Sequence, residues 1–552
     1  MRDLLGRLTW RTWWVATAVV PLAVLAVFFA WPVAALFMRG FFPDGAWDGS
    51  GALEVLTKPR TWRILRQTLL QASVATALSL ALGLPAAHVL YRRSFQGRLA
   101  LRALVAIPFV LPTVVAGTAF RNLLDKNGPF AALELDGTMT AVVIAMVFFN
   151  FPLVVRSLGS TWAAMDDRPA QAAAALGARP ARVFWTVTLP ALAPAITSVA
   201  SLVFLFCVTA FGIVLILGGL GAGTIETEIY FQTVSLFNLR AAAVLSIVQL
   251  VVVAGALYVS GRARARRERA VALRGVAGPQ PRLGRADVPA VAVTSLGLFL
   301  IAAPIAQLVV RSLQRSGHWT VDNYADLFRA PRDSAMLVTV GEAALNSLHI
   351  AAWAALLAVT LGAAVSLLLA RRPRRRPARA ALALLDATFM LPLGVSAVTV
   401  GFGFLITLNR PPLDLRSSIV LIPIAQAIVA IPLVVRTVLP SLRAIDPRQA
   451  EAAAALGASP WRVLATIEFP VLARALALAA GFALAVSLGE FGATSFLARP
   501  EGPTLPVMIF RLLSRPGAYT QGMAVAASVL LAVMTAAIML LVEKAHPKEV
   551  SW

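Results

Sequence analysis

Long apolar runs alternate with short polar segments along the whole chain. A helix that crosses a bilayer needs roughly 20 mostly apolar residues, and about twelve stretches approach that length. They are Trp14–Met38, Thr68–Tyr91, Ala103–Ala119, Thr138–Val155, Ala195–Leu217 and Ala241–Val259, then Val288–Val310, Ala344–Ala370, Leu382–Leu408, Ile419–Val435, Ala475–Leu497 and Met523–Val542. This pattern predicts an all-α polytopic membrane protein. The first run follows "MRDLLGRLTWRTWW". It is too long for a signal-peptide core and lacks a small-residue cleavage site, so it is expected to persist as a helix.

Composition agrees: the 552 residues are 59% hydrophobic and 14% charged, which excludes an ordinary soluble domain. The net charge of +23 does not form a nucleic-acid-binding domain, because the arginines sit in short segments beside the apolar runs. "YRRSFQGR" follows the second run, "RRPRRRPARA" the eighth, and "RARARRERAVALRGVAGPQPRLGRAD" joins the sixth to the seventh. Less basic loops such as "LLDKNGPFAALELDG" and "GGLGAGTIETE" fall on the alternate side. Cytoplasmic loops carry the excess of Lys and Arg, so both termini and the central linker are expected in the cytoplasm. Cys207 is the only cysteine, which rules out an intrachain disulfide and a thiolate cluster.

The chain repeats itself at an offset of 280. "FPLVVR" at Phe151 falls on "IPLVVR" at Ile431, and the match continues through Asp166/Asp446, Gly177/Gly457, Pro190/Pro470, Phe211/Phe491 and Thr224/Thr504. About half of the positions from Phe151 to Pro190 are identical to their counterparts. The repeat divides the chain into a first six-span unit (1–261), a basic linker (262–287) containing Gly278 and Pro279, and a second six-span unit (288–552). Six spans per unit return the chain to its starting side, so the repeat is parallel, with its pseudo-twofold axis along the membrane normal, unlike the inverted repeats of many secondary transporters. A substrate path along that axis is expected.

Within each unit one polar segment stands apart: "QAAAALGARPARVFWTVTLP" from Gln171 and "EAAAALGASPWRVLATIEFP" from Glu451. In the second, Asp446 is placed to cap a helix that Pro447 opens, with Gln449 completing a capping box. Alanine propagates that helix, and Gly457 is expected to end it in the left-handed conformation. Pro460 opens a second short helix leading back to the membrane. In spacing, glycine six positions after glutamate and proline thirteen after glycine, the segment resembles the EAA loop of binding-protein-dependent ABC importer permeases. The resemblance implies a coupling helix that seats in a groove of an ATP-binding subunit. It carries over to Glu451, Ala452, Ala453, Gly457, Ile467 and Pro470, and to Ala172, Ala173, Gly177, Val187 and Pro190 in the first copy. Gln171 departs from the motif's glutamate. A neutral amide lacks the charge-assisted contacts a carboxylate makes with a partner arginine, so weaker coupling is expected there. The chain has no G-x-x-x-x-G-K-[ST] phosphate loop, so ATP and Mg are expected on a partner.

The fusion of two units resembles the thiamine and ferric-iron permeases. "VFFNFPLVVR", "LGGLGAGTIETEIY" and "SLGEFGATSFL" are most similar to the thiamine permease, with the ferric-iron permease as the alternative. What the resemblance implies is alternating access driven by two copies of an ATPase subunit and fed by an extracytoplasmic substrate-binding protein, in the inner membrane, with no covalent chemistry on this chain. A cationic substrate favours acidic groups near its path, and carboxylates inside a membrane are costly enough to need a reason. Asn150, Glu490 and Asp386 are candidates for the path or gate. For Glu490 a packing or gate-structural role competes with ligand contact, for Asp386 snorkelling, and for Asn150 a bond between helices. Glu226 and Glu228 are expected to face a docked binding protein or water. The four histidines are scattered without metal-ligand spacing. An ion-coupled carrier, in which carboxylates carry protons and the loops are structural, is the rival from another class. No nucleophile–base pair or cofactor fingerprint points to an enzyme.

Overall fold

The computed structural model describes residues 17–42, 45–219, 221–267, 281–329, 337–371, 376–410, 413–415 and 418–545. Gly278 and Pro279 of the linker lie outside the described residues, as does the start of the first predicted span. Ten helices among the described residues are long and apolar enough to cross a membrane, or eleven if one bent pair is a single span. The principal helices are α1 (Thr17–Phe41), α2 (Pro59–Arg92), α3 (Arg98–Val110), α4 (Thr113–Leu124), α5 (Met139–Ala163), α6 (Arg168–Ala175), α7 (Pro180–Val208), α8 (Gly212–Leu217), α9 (Ile225–Tyr230) and α10 (Leu239–Arg267). They continue with α11 (Val288–Ser312), α12 (Val340–Leu369), α13 (Arg376–Met390), α14 (Ala397–Thr407), α15 (Leu421–Arg443), α16 (Pro447–Ala455), α17 (Trp461–Gly489), α18 (Thr494–Leu497), α19 (Leu505–Leu513) and α20 (Ala518–Ala545).

Four of the predicted spans are not single rods, and the interruptions recur in both halves. The third span breaks between α3 and α4, which meet at 106°. Pro112 forces its predecessor out of the helical region, and Leu111 is extended at φ −70°, ψ 132°. At the same offset the ninth span divides into α13, a 3-10 turn at Leu391–Gly394 that contains Pro392, and α14. The fifth and eleventh spans end at Val208 and Gly489, short of the predicted Leu217 and Leu497, and resume at Gly212 and Thr494, within and just after the Phe-Gly pairs 211–212 and 491–492, as α8 and α18. Their other ends start early, because the second helix of each polar loop runs straight into the span. A π-helical turn joins them at Phe184–Thr188 and at Leu464–Glu468. Each turn lies two residues before Pro190 or Pro470. A proline within a helix has no N–H to give and crowds the carbonyl four residues back, and the wider π turn accommodates both.

The chain forms two compact units. One gathers Leu53–Glu228 and Leu245–Trp319. Its core centres on Phe120, Phe148, Phe151, Val154 and Leu158, and α11 packs there, with Phe151 against Gly297. The other gathers the segment up to Ala52, Ile229–Val244, and the chain from Thr320 onward, around Val400, Phe404, Ile431, Val434 and Val438. Here α1 packs on α14, Pro32 meeting Gly403. Each compact unit thus includes the opening helix of the other sequence repeat, an arrangement that a repeat boundary in the sequence does not reveal.

Close approach of backbones holds each unit at an equivalent point. A Cβ on Gly83 of α2 would sit 2.8 Å from the Cβ of Val154 on α5, and one on Gly362 of α12 the same distance from that of Val434 on α15. Small residues at such crossings maximise packing where lipid offers no hydrophobic drive. Gly83→Leu and Gly362→Leu are each expected to destabilise the protein by about 1–3 kcal/mol through overpacking, with Val154→Ala or Val434→Ala restoring much of the loss. Thermal unfolding in detergent measures this, and single variants with unchanged midpoints would contradict it.

Candidate functional site

The two polar loops fold alike in detail. The N–H of Arg168 donates to Asp166 Oδ1 and that of Arg448 to Asp446 Oδ1, each at 3.0 Å, so at the start of each loop helix an aspartate accepts the N–H two residues on, one short of the third-residue N–H that a capping box uses. The expected bond from Gln449 is replaced by its N–H donating to the Asp446 carbonyl at 3.0 Å. Gly177 and Gly457 end the helices at φ +85° and +83°, and the following N–H groups return to the carbonyls of Ala173 and Ala453 at 3.1 and 3.0 Å. Those bonds satisfy carbonyls that a helix end otherwise leaves open.

Gln171 and Glu451 are exposed, with Ala172 and Ala452, while Ala173 and Ala453 are half-buried. Leu176 and Leu456, next to the glycines, are 88% and 89% exposed. Both loops therefore present a fully projecting leucine at the same point, among small alanines. Val187 and Ile467 lie in the π turns and are half-buried, and Pro190 and Pro470 are exposed at the start of the spans proper.

The acidic candidates lie apart from these loops. Glu490 is buried at the break between α17 and α18. Its Oε1 accepts the N–H of Ala493 at 2.7 Å, and its Oε2 accepts the N–H and hydroxyl of Thr494 at 3.0 and 2.5 Å. Gln426 Nε2 donates to the Thr494 oxygen at 3.3 Å. The carboxylate therefore caps the resumed helix. At the offset of 280 the first half has Ala210, Val214 and Met146 in place of Glu490, Thr494 and Gln426, so this network is confined to the second half.

Glu226 and Glu228 were expected to face water or a docked protein, and the structure corrects this: both are buried. The Thr68 hydroxyl accepts the Ile225 N–H at 3.1 Å, which draws α9 in against α2. Gln249 Nε2 then donates to Glu226 at 2.8 Å and Arg60 pairs with Glu228 at 2.8 Å. Asn150 is buried, and its Nδ2 donates to the Met146 carbonyl at 2.8 Å and, across to α7, to Cys207 Sγ at 3.4 Å. Asp386, on α13, is half-buried and makes no hydrogen bond or ion pair with other described residues. His88 Nε2 lies 3.2 Å from Asp287 Oδ1, and His349 is exposed. Among the described residues no group of His, Cys, Asp and Glu could hold a metal ion. The sequence reading missed Gln249, Gln426, Thr68 and Arg60 as partners. A lone amide in an apolar run, as in "SIVQLVVV", was the available signal for the two glutamines.

Comparison with known proteins agrees with the paired architecture. Residues 79–267 and 351–549 each match the family described as the inner membrane component of binding-protein-dependent transport systems. The thiamine transport system permease protein of Escherichia coli is 30% identical over 85% of this chain and 86% of its own length. That of Salmonella typhimurium is 30% identical over 89% of both chains. A solved bacterial ABC transporter that imports alginate aligns with 49% of this chain and 99% of its own at 16% identity and a TM-score of 0.41. The chain, a multi-pass membrane protein carrying the same module twice, belongs to the family of binding-protein-dependent transport system inner membrane components.

Proposed function

We propose that this chain is the membrane-spanning subunit of an ATP-driven importer for thiamine or its phosphates. The observation that carries the substrate is the 30% identity, over most of both chains, to proteins named as thiamine transport permeases. The mechanism is supported by the two loop helices, which have the same cap, the same glycine stop and the same projecting leucine. Two copies of a separate ATPase subunit, holding ATP and Mg, seat on α6 and α16. Their closure draws the loop helices together and opens the path outward, and hydrolysis restores the inward state. A substrate-loaded binding protein docks on the outer face, and the termini, linker and both loops lie in the cytoplasm. Glu226, Glu228 and Glu490 are held by their own neighbours, which supports leaving most ligand selection to the binding protein. The ferric-iron alternative draws no support from the relatives above, whose names specify thiamine.

The test is uptake by vesicles carrying this permease with its ATPase and binding protein, with labelled thiamine and chelated iron(III) offered separately. ATP-dependent accumulation of thiamine alone is expected, abolished by vanadate and indifferent to collapse of the proton gradient. Iron accumulation overturns the substrate, and uptake that needs a proton gradient but no ATP overturns the mechanism in favour of an ion-coupled carrier.

A further inference from the structure

In each half an arginine at or just beyond the end of the long span that crosses the Gly–Val contact grips the polar loop, but the two arginines grip opposite ends of it. Gly83 and Gly362 occupy equivalent points on α2 and α12, and the same spacing of 279 places Arg92 on Arg371. Arg92 Nη2 donates to both carboxylate oxygens of Asp167 at 2.5 and 2.6 Å, and Asp167 is the residue immediately before α6. Arg371 donates through Nη1 and Nη2 to the two oxygens of Glu468 at 3.3 and 3.2 Å. Glu468 closes the π turn beyond the second loop. The counterpart of Asp167 is Pro447, and that of Glu468 is Thr188, so neither half has the acid needed to form the other's pair.

Side-chain exposures of 22% and 39% in the first pair, and 42% and 16% in the second, decide what these bonds are for. Ion pairs this open to solvent add little to stability. The two-point geometry nonetheless fixes orientation, and it does so where a loop helix meets the end of a span. We propose that Arg92 and Arg371 are positioning residues that pin the polar loops to the spans, the first at its leading end through Asp167, just before α6, and the second at its trailing end through Glu468, in the π turn that joins the loop to its span. The two loops then pass motion to the membrane through different pivots. This rests on the importer reading above.

The test uses the reconstituted complex with its ATPase and binding protein, and compares wild type with Arg92→Gln, Arg371→Gln and the exchanged pairs Arg92→Asp with Asp167→Arg and Arg371→Glu with Glu468→Arg. Each single variant is expected to lower substrate moved per ATP by about fivefold, the low end of usual coupling between sites, with unchanged amounts in the membrane. Each exchanged pair is expected to recover most of the loss, which a general packing defect would not allow. A second measurement needs no partner: spin labels at Leu176→Cys or Leu456→Cys in a Cys207→Ala background. Mobility is expected to rise at 176 with Arg92→Gln only, and at 456 with Arg371→Gln only. If wild type moves no substrate with ATP, the importer reading fails, and label mobility alone decides the pairing. Unchanged mobility in both single variants, or unchanged transport per ATP with no recovery on exchange, overturns the proposal.

Discussion

Replacing Gly457 by proline is expected to cut ATP-dependent uptake at least tenfold while leaving the protein in the membrane at its normal level. Gly457 sits at φ +83°, whereas proline is held near −65°, so the chain cannot reverse after α16 and the bond from Ala458 to the Ala453 carbonyl is lost. No atom lies within 4 Å of where a Cβ would stand at Gly177 or Gly457, which makes these positions clean tests of backbone conformation free of steric clash. Gly457→Ala should then cost about 1–2 kcal/mol, the penalty of the left-handed region for a residue with a Cβ. Gly457→Asn should cost less, because asparagine visits that region more readily. Uptake is expected to fall in the order Asn, Ala, Pro. The same series at Gly177 should give smaller losses, because Gln171 leaves the first loop without the charge that Glu451 gives the second. Uptake and transport-linked ATP hydrolysis, normalised to permease in the membrane, report the result. A proline variant that transports like wild type would remove this loop from the energy path.

Glu490→Ala is expected to destabilise the purified protein by about 3 kcal/mol, near 1 kcal/mol for each of three buried donors that lose their acceptor. The N–H groups of Ala493 and Thr494 and the Thr494 hydroxyl all bond to this carboxylate, which is buried. Glu490→Gln keeps one acceptor oxygen and should lose less. The thermal midpoint in detergent distinguishes the roles. If Glu490 instead served the substrate directly, the alanine variant would keep its midpoint and change only uptake.

Much of the loop region was legible because its determinants are local. An aspartate two residues before the first N–H it caps, a run of alanines, and a glycine where the chain must turn left-handed act within one or two helical turns, so Asp446, Ala452 and Gly457 could be placed without knowing their surroundings. Pro190 and Pro470 were visible as motif residues, but their effect, a π turn that fuses loop helix to span, depends on a helix already continuing on both sides. Pro112 and Pro392 are equally visible in the sequence, but the breaks they make are not, because hydropathy alone does not register a bend.

The acidic residues show the limit more sharply. Composition places Glu226, Glu228 and Glu490 beside or within apolar runs, but a carboxylate's state depends on which donors the fold brings to it, and those come from Gln249, Arg60 and Thr494. Only Thr494 is near its partner in sequence. The sequence by itself determined that this is a duplicated, helical membrane protein with two matched polar loops, since lipid imposes span length and a repeat leaves identical residues at a fixed offset. The tertiary structure alone decided that each compact unit takes in the other repeat's opening helix, that the acids are buried and occupied, and that Arg92 and Arg371 hold opposite ends of their loops. Apart from the short-range bonds of Glu490, these are contacts between residues far apart along the chain, made by packing, and no local pattern encodes them.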